Sequence, residues 1–335
     1  MLAAALAAAI APWDRAKAGA VLDKIRSSKT LTCGIDTDEP DYSKADTHGN
    51  MAAFGADLCR AVASAILGPS ATVKAVQLLD EPSGLAAVKS GAVDMLAGAT
   101  PSLLNTGVYR VAFGPVMFYD GQSFLVSDKS GIRTLKDLAG KTICFIADSD
   151  ADQRMQAGMK QRGIVYRPFP FEEIGEMQAA FLDGHCDALT GDISFLAFTR
   201  PLFHGQGSRY EILAETITQD PLAPAYRRDD PEFGGIVDWT MQALIKADEA
   251  GVTQAGVDSV KDSDDIQIRG LAGLNRGLGE MLGLDDRWAA RAIEAVGNYG
   301  EIFDRDLGQR SSLKLPRGQN KPWSQGGLMD AMPIR

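Results

Sequence analysis

Apolar and polar positions along the chain alternate with two periods, and the same order of periods occurs twice. A short apolar run at Leu31–Ile35 reads as a strand. A helix follows over Ala56–Leu67, where Leu58, Val62 and Ile66 recur every four residues and Gly68 stops the pattern. Val73–Leu78 reads as a second strand. In the other half of the chain, Ile143–Ala147 is an apolar run, a helix is predicted over about Asp150–Arg162 and stopped by Gly163, and a strand is predicted near Val165. Each half then carries a related string, "AAVKSGAVDMLAG" (86–98) and "AAFLDGHCDALTG" (179–191). The two share Ala-Ala at the start, Gly at the sixth place, Asp at the ninth, Leu at the eleventh and Gly at the thirteenth. Both read as a helix end, a glycine stop and a short strand.

A β-α-β-α-β order found twice predicts two α/β units with parallel sheets covered by helices. Ligands in such sheets sit beyond the carboxyl ends of the strands, here the segments after Ile35, Ala97, Ala147 and Thr190. The last third differs: helical patterns run through 233–250 and 276–297. No low-complexity linker separates the units, so extended crossovers are expected near 122–126 and 221–227.

Composition narrows the function classes. A chain of 335 residues with 45% hydrophobic and 23% charged residues has ample material for two cores. The net charge of −10 argues against nucleic acid and against an anionic membrane surface, since nothing would neutralise phosphates. Residues 2–12, "LAAALAAAIAP", are too short to span a bilayer and read as the apolar core of a signal peptide. Ala16-Lys17-Ala18 supplies a small-x-small cleavage site, so residues 1–20 are expected to be removed on export to the periplasm. The alternative is an Ala-rich cytoplasmic helix. The four cysteines (Cys33, Cys59, Cys144, Cys186) show no CxxC spacing, and only three His are present, which disfavours zinc. An even count fits two disulfides in an exported protein; four buried thiols are the alternative.

The string "ICFIADSDADQR" (143–154) ends an apolar run at Asp148 and places acids at Asp148, Asp150 and Asp152. Ser149 to Asp152 follows the capping-box pattern with Asp in place of Glu, so helix capping accounts for part of the acidity. A calcium loop would need Gly at the sixth place and Glu at the twelfth, where Gln153 and Met159 stand. No metal site is expected.

"FGADLCRAVASAILG" (54–68), "FYDGQSFLV" (118–126), "CDALTGD" (186–192), "DPLAPAYR" (220–227), "AVGNYGEIFDRDLG" (295–308) and the tail from "RGQN" (317–320) to "PIR" (333–335) resemble the periplasmic solute-binding proteins of general L-amino-acid ABC transporters. The resemblance runs from about residue 22 to the end. It implies a two-lobed type II periplasmic-binding fold of α/β class, each lobe a mainly parallel sheet flanked by helices, with two crossover strands as hinge. Lobe 1 would hold residues 22–125 and 222–335, and lobe 2 residues 126–221. It further implies a monomer that delivers a small polar solute to an inner-membrane permease, without cofactor or catalytic step. The disulfides it implies are Cys33–Cys59 and Cys144–Cys186.

Members of that family grip an amino acid by an Arg in lobe 1, a Thr/Gly-rich turn in lobe 2 and an Asp in lobe 2. The Asp is kept as Asp192. The place of the Arg falls at Asn105 or Thr106, with Arg110 nearby but out of register. The Thr/Gly turn has become Asp148, Ser149 and Asp150. The pocket aromatic corresponds to Met51, and the residues after the first strand are Asp36, Asp38, Glu39 and Asp41. With Thr100 from the segment before Asn105, these form the expected ligand-binding set. Losing an Arg fork and gaining acids both disfavour an α-carboxylate. Three functions follow: a solute-binding protein for an amine, a cationic amino-acid derivative or a neutral polar solute; a periplasmic accessory or sensor protein that has lost uptake; and a dehydratase-like enzyme using Asp192 or Glu39 as acid or base. No Ser/His/Asp or Cys/His set supports the third.

Overall fold

A computed structural model describes residues 19–36, 51–203 and 209–335, without the side chains of Asp36, Met51, Ala52 and Asp150. The leader segment, and Asp38, Glu39 and Asp41 of the expected site, lie outside the described residues. The first unit runs α1 (Ala20–Ser28), β1 (Thr30–Asp36), α2 (Met51–Leu67), β2 (Thr72–Leu78), α3 (Glu81–Ser90), β3 (Met95–Ala99), α4 (Leu103–Tyr109), β4 (Val111–Phe113) and β5 (Phe118–Asp120). The second runs β6 (Gln122–Ser127), β7 (Thr142–Ile146), α5 (Asp150–Gln161), β8 (Arg167–Phe171), α6 (Ile174–Leu182), β9 (Ala188–Asp192), α7 (Ile193–Leu202) and β10 (Tyr210–Ile212). The chain then returns through β11 (Asp220–Arg227) to α8 (Pro231–Glu249), α9 (Ile266–Leu271), α10 (Trp288–Val296) and α11 (Tyr299–Asp306).

One sheet has the order β2-β1-β3-β11-β4, with β5 also on β11; the other is β10-β6-β9-β7-β8. In each, three strands are parallel, and the strand after them (β11 or β6) is antiparallel. The parallel character expected from the β-α-β order therefore holds within each repeat. It ends where the chain crosses between sheets.

The repeated string has one physical job in both copies. Gly91 and Gly184 each end a helix at φ +78°, a conformation glycine adopts without steric cost. Asp94 and Asp187 then pin the incoming strand. Asp94 accepts the Thr32 N–H at 2.8 Å and Asp187 accepts the Thr142 N–H at 2.8 Å. Their own N–H groups donate back to the carbonyls of Thr32 and Thr142, at 2.8 Å in each case.

The first sheet's core joins α2, α8, α10 and α11, with Leu58, Val62, Phe233, Ile293, Tyr299 and Phe303 at 1% exposure or less. Both faces of the second sheet are covered, by separate clusters around Phe124, Met155 and Met159 and around Leu125, Met177 and Leu189. Cys33–Cys59 joins β1 to α2 with Cα atoms 6.2 Å apart, and Cys144–Cys186 ties β7 to the turn before β9 at 5.8 Å. Both bridges are closed, and the free-thiol alternative falls.

Two expected elements change. The strand placed near Val165 begins at Arg167, and Val165 itself is exposed in the irregular segment before it. The Arg167 N–H and the Phe171 carbonyl face β7, so Pro168 and Pro170 point their missing N–H groups to the free edge. The helical pattern over 276–297 is an α-helix only from Trp288, after a short 3₁₀ turn at Glu280–Leu282. Gly277 and Gly283 take φ +89° and +65°, and the Asp286 carboxylate accepts the N–H groups of Gly277 and Gly279 at 3.0 Å. That side chain competes with helix formation for the same donors.

Candidate cleft site

The expected site residues with described side chains sit at the carboxyl ends of β3, β7 and β9, where the strand-end rule puts a ligand. They form two groups, each organised within its own lobe.

In the first lobe, Thr100 follows β3 and Asn105 lies in the first turn of α4, where Ser102 caps the helix by accepting the Asn105 N–H at 3.0 Å. The Asn105 amide donates to the Thr100 carbonyl at 2.9 Å and to Glu81 Oε1 at 2.8 Å. The second oxygen of Glu81 accepts the Thr100 N–H at 2.7 Å. A carboxylate from the chain itself thus takes two donors at the position where the family resemblance puts an incoming carboxylate. Glu81 was missed from the sequence because an acid just after Asp80 reads as a helix N-terminus favouring its dipole. Arg110 does not enter this group. It caps the end of α4 at φ +58°. Its charge acts on Asp229, which is held below its ordinary pKa first by hydrogen bonds from Arg227 and to a smaller extent by Arg110.

In the second lobe the acids after β7 divide their roles. Ser149 is the N-cap of α5: its Oγ accepts the Asp152 N–H at 3.1 Å and donates to the Ile146 carbonyl at 2.7 Å. Asp152 is buried and closes the turn, accepting the Asp148 N–H at 3.3 Å and the Gln156 amide at 2.7 Å. It is therefore structural, as the capping pattern implied. Asp148 is exposed and sits at φ +56°. Among the described residues, no cluster of His, Cys, Asp or Glu is arranged to hold a metal.

The conformation of Asp148 makes a prediction. A left-handed backbone costs an L-residue about 1–2 kcal/mol, less for Asp and nothing for Gly. Asp148→Val is expected to lower stability by about 1–2 kcal/mol, while Asp148→Gly stays within about 0.5 kcal/mol of the parent. Urea unfolding midpoints would show this; equal midpoints for Val and Asp would contradict it.

Asp192 ends β9 and faces a partner the sequence reading missed. Arg154, on α5, brings Nη2 to 3.5 Å from Asp192 Oδ1. The Arg154 Nε is buried without a hydrogen-bond partner. Behind them Gln122 is fully buried, donating to the Ala151 carbonyl at 2.8 Å and to Thr190 Oγ1 at 3.1 Å. Asp120, at the crossover between the sheets, accepts the Gly121 N–H at 2.8 Å and the Ser194 N–H and O–H at 3.3 and 2.5 Å. Burial, and secondarily the charge of Asp192, push its pKa up to about 7. Nothing in the local sequence marks Arg154 or Glu81, because both act on partners far along the chain.

A family described as NMT1/THI5 like matches residues 72–211. The chain is 36% identical over 339 residues to the general L-amino acid-binding periplasmic protein AapJ of Rhizobium johnstonii, covering 100% of this chain and 99% of that protein. It is 36% identical over 333 residues to the glutamate/glutamine/aspartate/asparagine-binding protein BztA of Rhodobacter capsulatus, covering 99% and 97%. Among solved structures, an ABC transporter periplasmic binding protein from Brucella ovis with glutathione bound superimposes with a TM-score of 0.76 at 34% identity, covering 94% of this chain and 99% of that one.

Proposed function

The chain belongs to the periplasmic solute-binding proteins of amino-acid ABC transporters, and on that premise we propose that it captures a small polar solute between its lobes, as a monomer, and hands it to an inner-membrane permease. These relatives are binding proteins rather than enzymes, which removes the dehydratase reading. Among the described residues, no helix is long and apolar enough to cross a membrane. The lobes of the proposal are residues 22–125 with 222–335, and residues 126–221. The ligand-binding residues of the proposal are Thr100, Asn105, Asp148, Ser149 and Asp192, with Asp36, Asp38, Glu39, Met51 and Asp150 carried over from the sequence.

The proposed solute is an amine, a cationic amino-acid derivative or a neutral polar molecule, not one gripped in lobe 1 by an α-carboxylate. The observation that carries this reading is Glu81, whose carboxylate already occupies the Thr100 and Asn105 donors. A second carboxylate there would meet like charge and no Arg fork. Hydrogen bonds to a charged partner contribute about 1.5–3 kcal/mol each, so losing a bidentate pair lowers affinity by roughly two to four decades.

One observation favours a second reading. Arg154 has a long contact to Asp192 and an unpartnered Nε, so lobe 2 could itself receive a carboxylate from an amino-acid-like or peptide-like solute. The relative solved with glutathione shows that a family member can hold a ligand larger than one amino acid. Calorimetry with agmatine, basic, neutral and acidic L-amino acids and glutathione separates the two. The first reading expects agmatine or a basic ligand to bind most tightly and to survive Arg154→Ala. Micromolar binding of glutamate or glutathione, lost in Arg154→Ala, supports the second. Micromolar binding of a neutral or acidic amino acid that is indifferent to Arg154→Ala overturns both. Silence toward all of them favours the accessory or sensor role.

A further inference from the structure

A cavity lies at the crossover between the lobes, with a volume of about 410 Å³. That falls within the range of small-molecule sites, roughly 300–1,000 Å³. None of Thr100, Asn105, Asp148, Ser149 and Asp192 lines it. Its walls come from both sides of the hinge: Phe118, Phe303 and Leu315 from one, Ile193, Leu213 and Arg200 from the other. The lining is largely apolar, with Arg200, Lys314, Arg317 and Lys321 outnumbering the acids Asp120 and Glu211.

Arg200 is the informative residue. It is half-buried on α7, and burial pulls its guanidinium below the ordinary arginine pKa. Its hydrogen-bond partner is neutral: Nη2 donates to the Leu313 carbonyl at 2.5 Å. Among the described residues no carboxylate lies within ion-pair distance of it. Lys314 and Lys321 add exposed charge at the mouth. Arg317 also lines the cavity but is committed to Asp248 at 2.7 Å. Of the acids that line it, Glu211 is more than half exposed to solvent, with Arg133 3.9 Å away, and Asp120 is satisfied by Gly121 and Ser194.

We propose that this cavity is a second binding site, for a monoanion with an apolar body such as a medium-chain or aromatic carboxylate, whose carboxylate pairs with Arg200. A half-buried guanidinium facing only a neutral carbonyl gains from an anion, because partial exclusion of water strengthens the pair. The apolar lining takes the body of the ligand. Because the walls come from both lobes, such a ligand has different contacts in different hinge angles, and it shifts the open–closed equilibrium by that difference. The proposal is independent of which solute the main cleft holds.

The test is calorimetry with octanoate and benzoate on the full exported chain, beside three variants. Arg200→Gln keeps a donor for the Leu313 carbonyl but removes the charge, and is expected to weaken octanoate binding about tenfold or more. Ile193→Trp fills the cavity and is expected to abolish binding. Lys321→Gln, at an exposed position, is expected to weaken binding by a few-fold without touching the fold. Each variant is used only if its melting temperature stays near that of the parent; if the first two fail this criterion, Lys321→Gln and the salt dependence of the parent decide. No heat from either carboxylate up to about 1 mM overturns the proposal. So does affinity unchanged by either cavity variant, or by Lys321→Gln together with raised salt.

Discussion

Removing the Cys144–Cys186 bridge by a double Cys→Ala substitution is expected to cost the protein about 4 kcal/mol, and removing Cys33–Cys59 about 3.5 kcal/mol. The bridges span 42 and 26 residues of sequence, so each closes a long loop that the unfolded chain would otherwise explore. All four cysteines are buried, and alanine avoids placing a hydroxyl without a partner in the core. Folded proteins hold only about 5–15 kcal/mol of net stability, so the chain lacking both bridges is expected to sit near its unfolding threshold at 37 °C. The bridges suit an oxidising compartment, in keeping with the periplasmic relatives. Guanidinium unfolding of the parent and the two paired variants measures the effect. A loss below about 1 kcal/mol for either pair would show that the unfolded chain was not constrained by that bridge.

Asp120 is expected to give the protein a descending stability profile between about pH 4 and pH 7. Its folded pKa of about 7 lies above the ordinary value of 3.8, so the folded state holds a proton that the unfolded state releases. Stability from this group is full below the unfolded pKa and falls as pH rises through the folded one. At roughly 1.36 kcal/mol per unit, the change is on the order of 4 kcal/mol at most. The groups facing Asp120 are Asp192, itself 3.5 Å from Arg154, and Asp220, opposite in register on β11. Asp192 adds to the upward shift, so a cation seated on Asp192 would favour ionised Asp120, and the cleft and the crossover are electrostatically linked. Asp120→Asn keeps an acceptor for the Ser194 and Gly121 N–H groups and cannot ionise. Urea unfolding at pH 5, 6, 7 and 8 should show the variant gaining on the parent as pH rises. Parallel profiles for the two proteins would dispose of the idea.

Much of the fold is local in origin, and that part was legible. The glycines at 91 and 184 act on their own turns, so their spacing carries the repeat directly, whereas the aspartates at 94 and 187 repeat in the sequence but bond strands 62 and 45 residues away. Ser149 and Asp152 cap a helix three residues apart, and the capping pattern announced it. The 276–297 pattern misled because Trp288–Val296 is strongly periodic, while what stops the helix earlier is a side chain, Asp286, taking two glycine N–H groups. Periodicity records which face is apolar; it does not record a polar competitor for the backbone.

The sequence by itself determined two α/β repeats, the helix caps, the strand ends where a ligand would sit and, through resemblance, the family and the cysteine pairing. Only the tertiary structure decided which charged groups the candidate site brings together. Glu81 meets Thr100 and Asn105 across 19 and 24 residues, and Arg154 meets Asp192 across 38. Such pairs are set by how helices lie over a sheet, not by spacing along the chain. Electrostatic energy depends on distance in space and on burial, and neither can be read along a sequence.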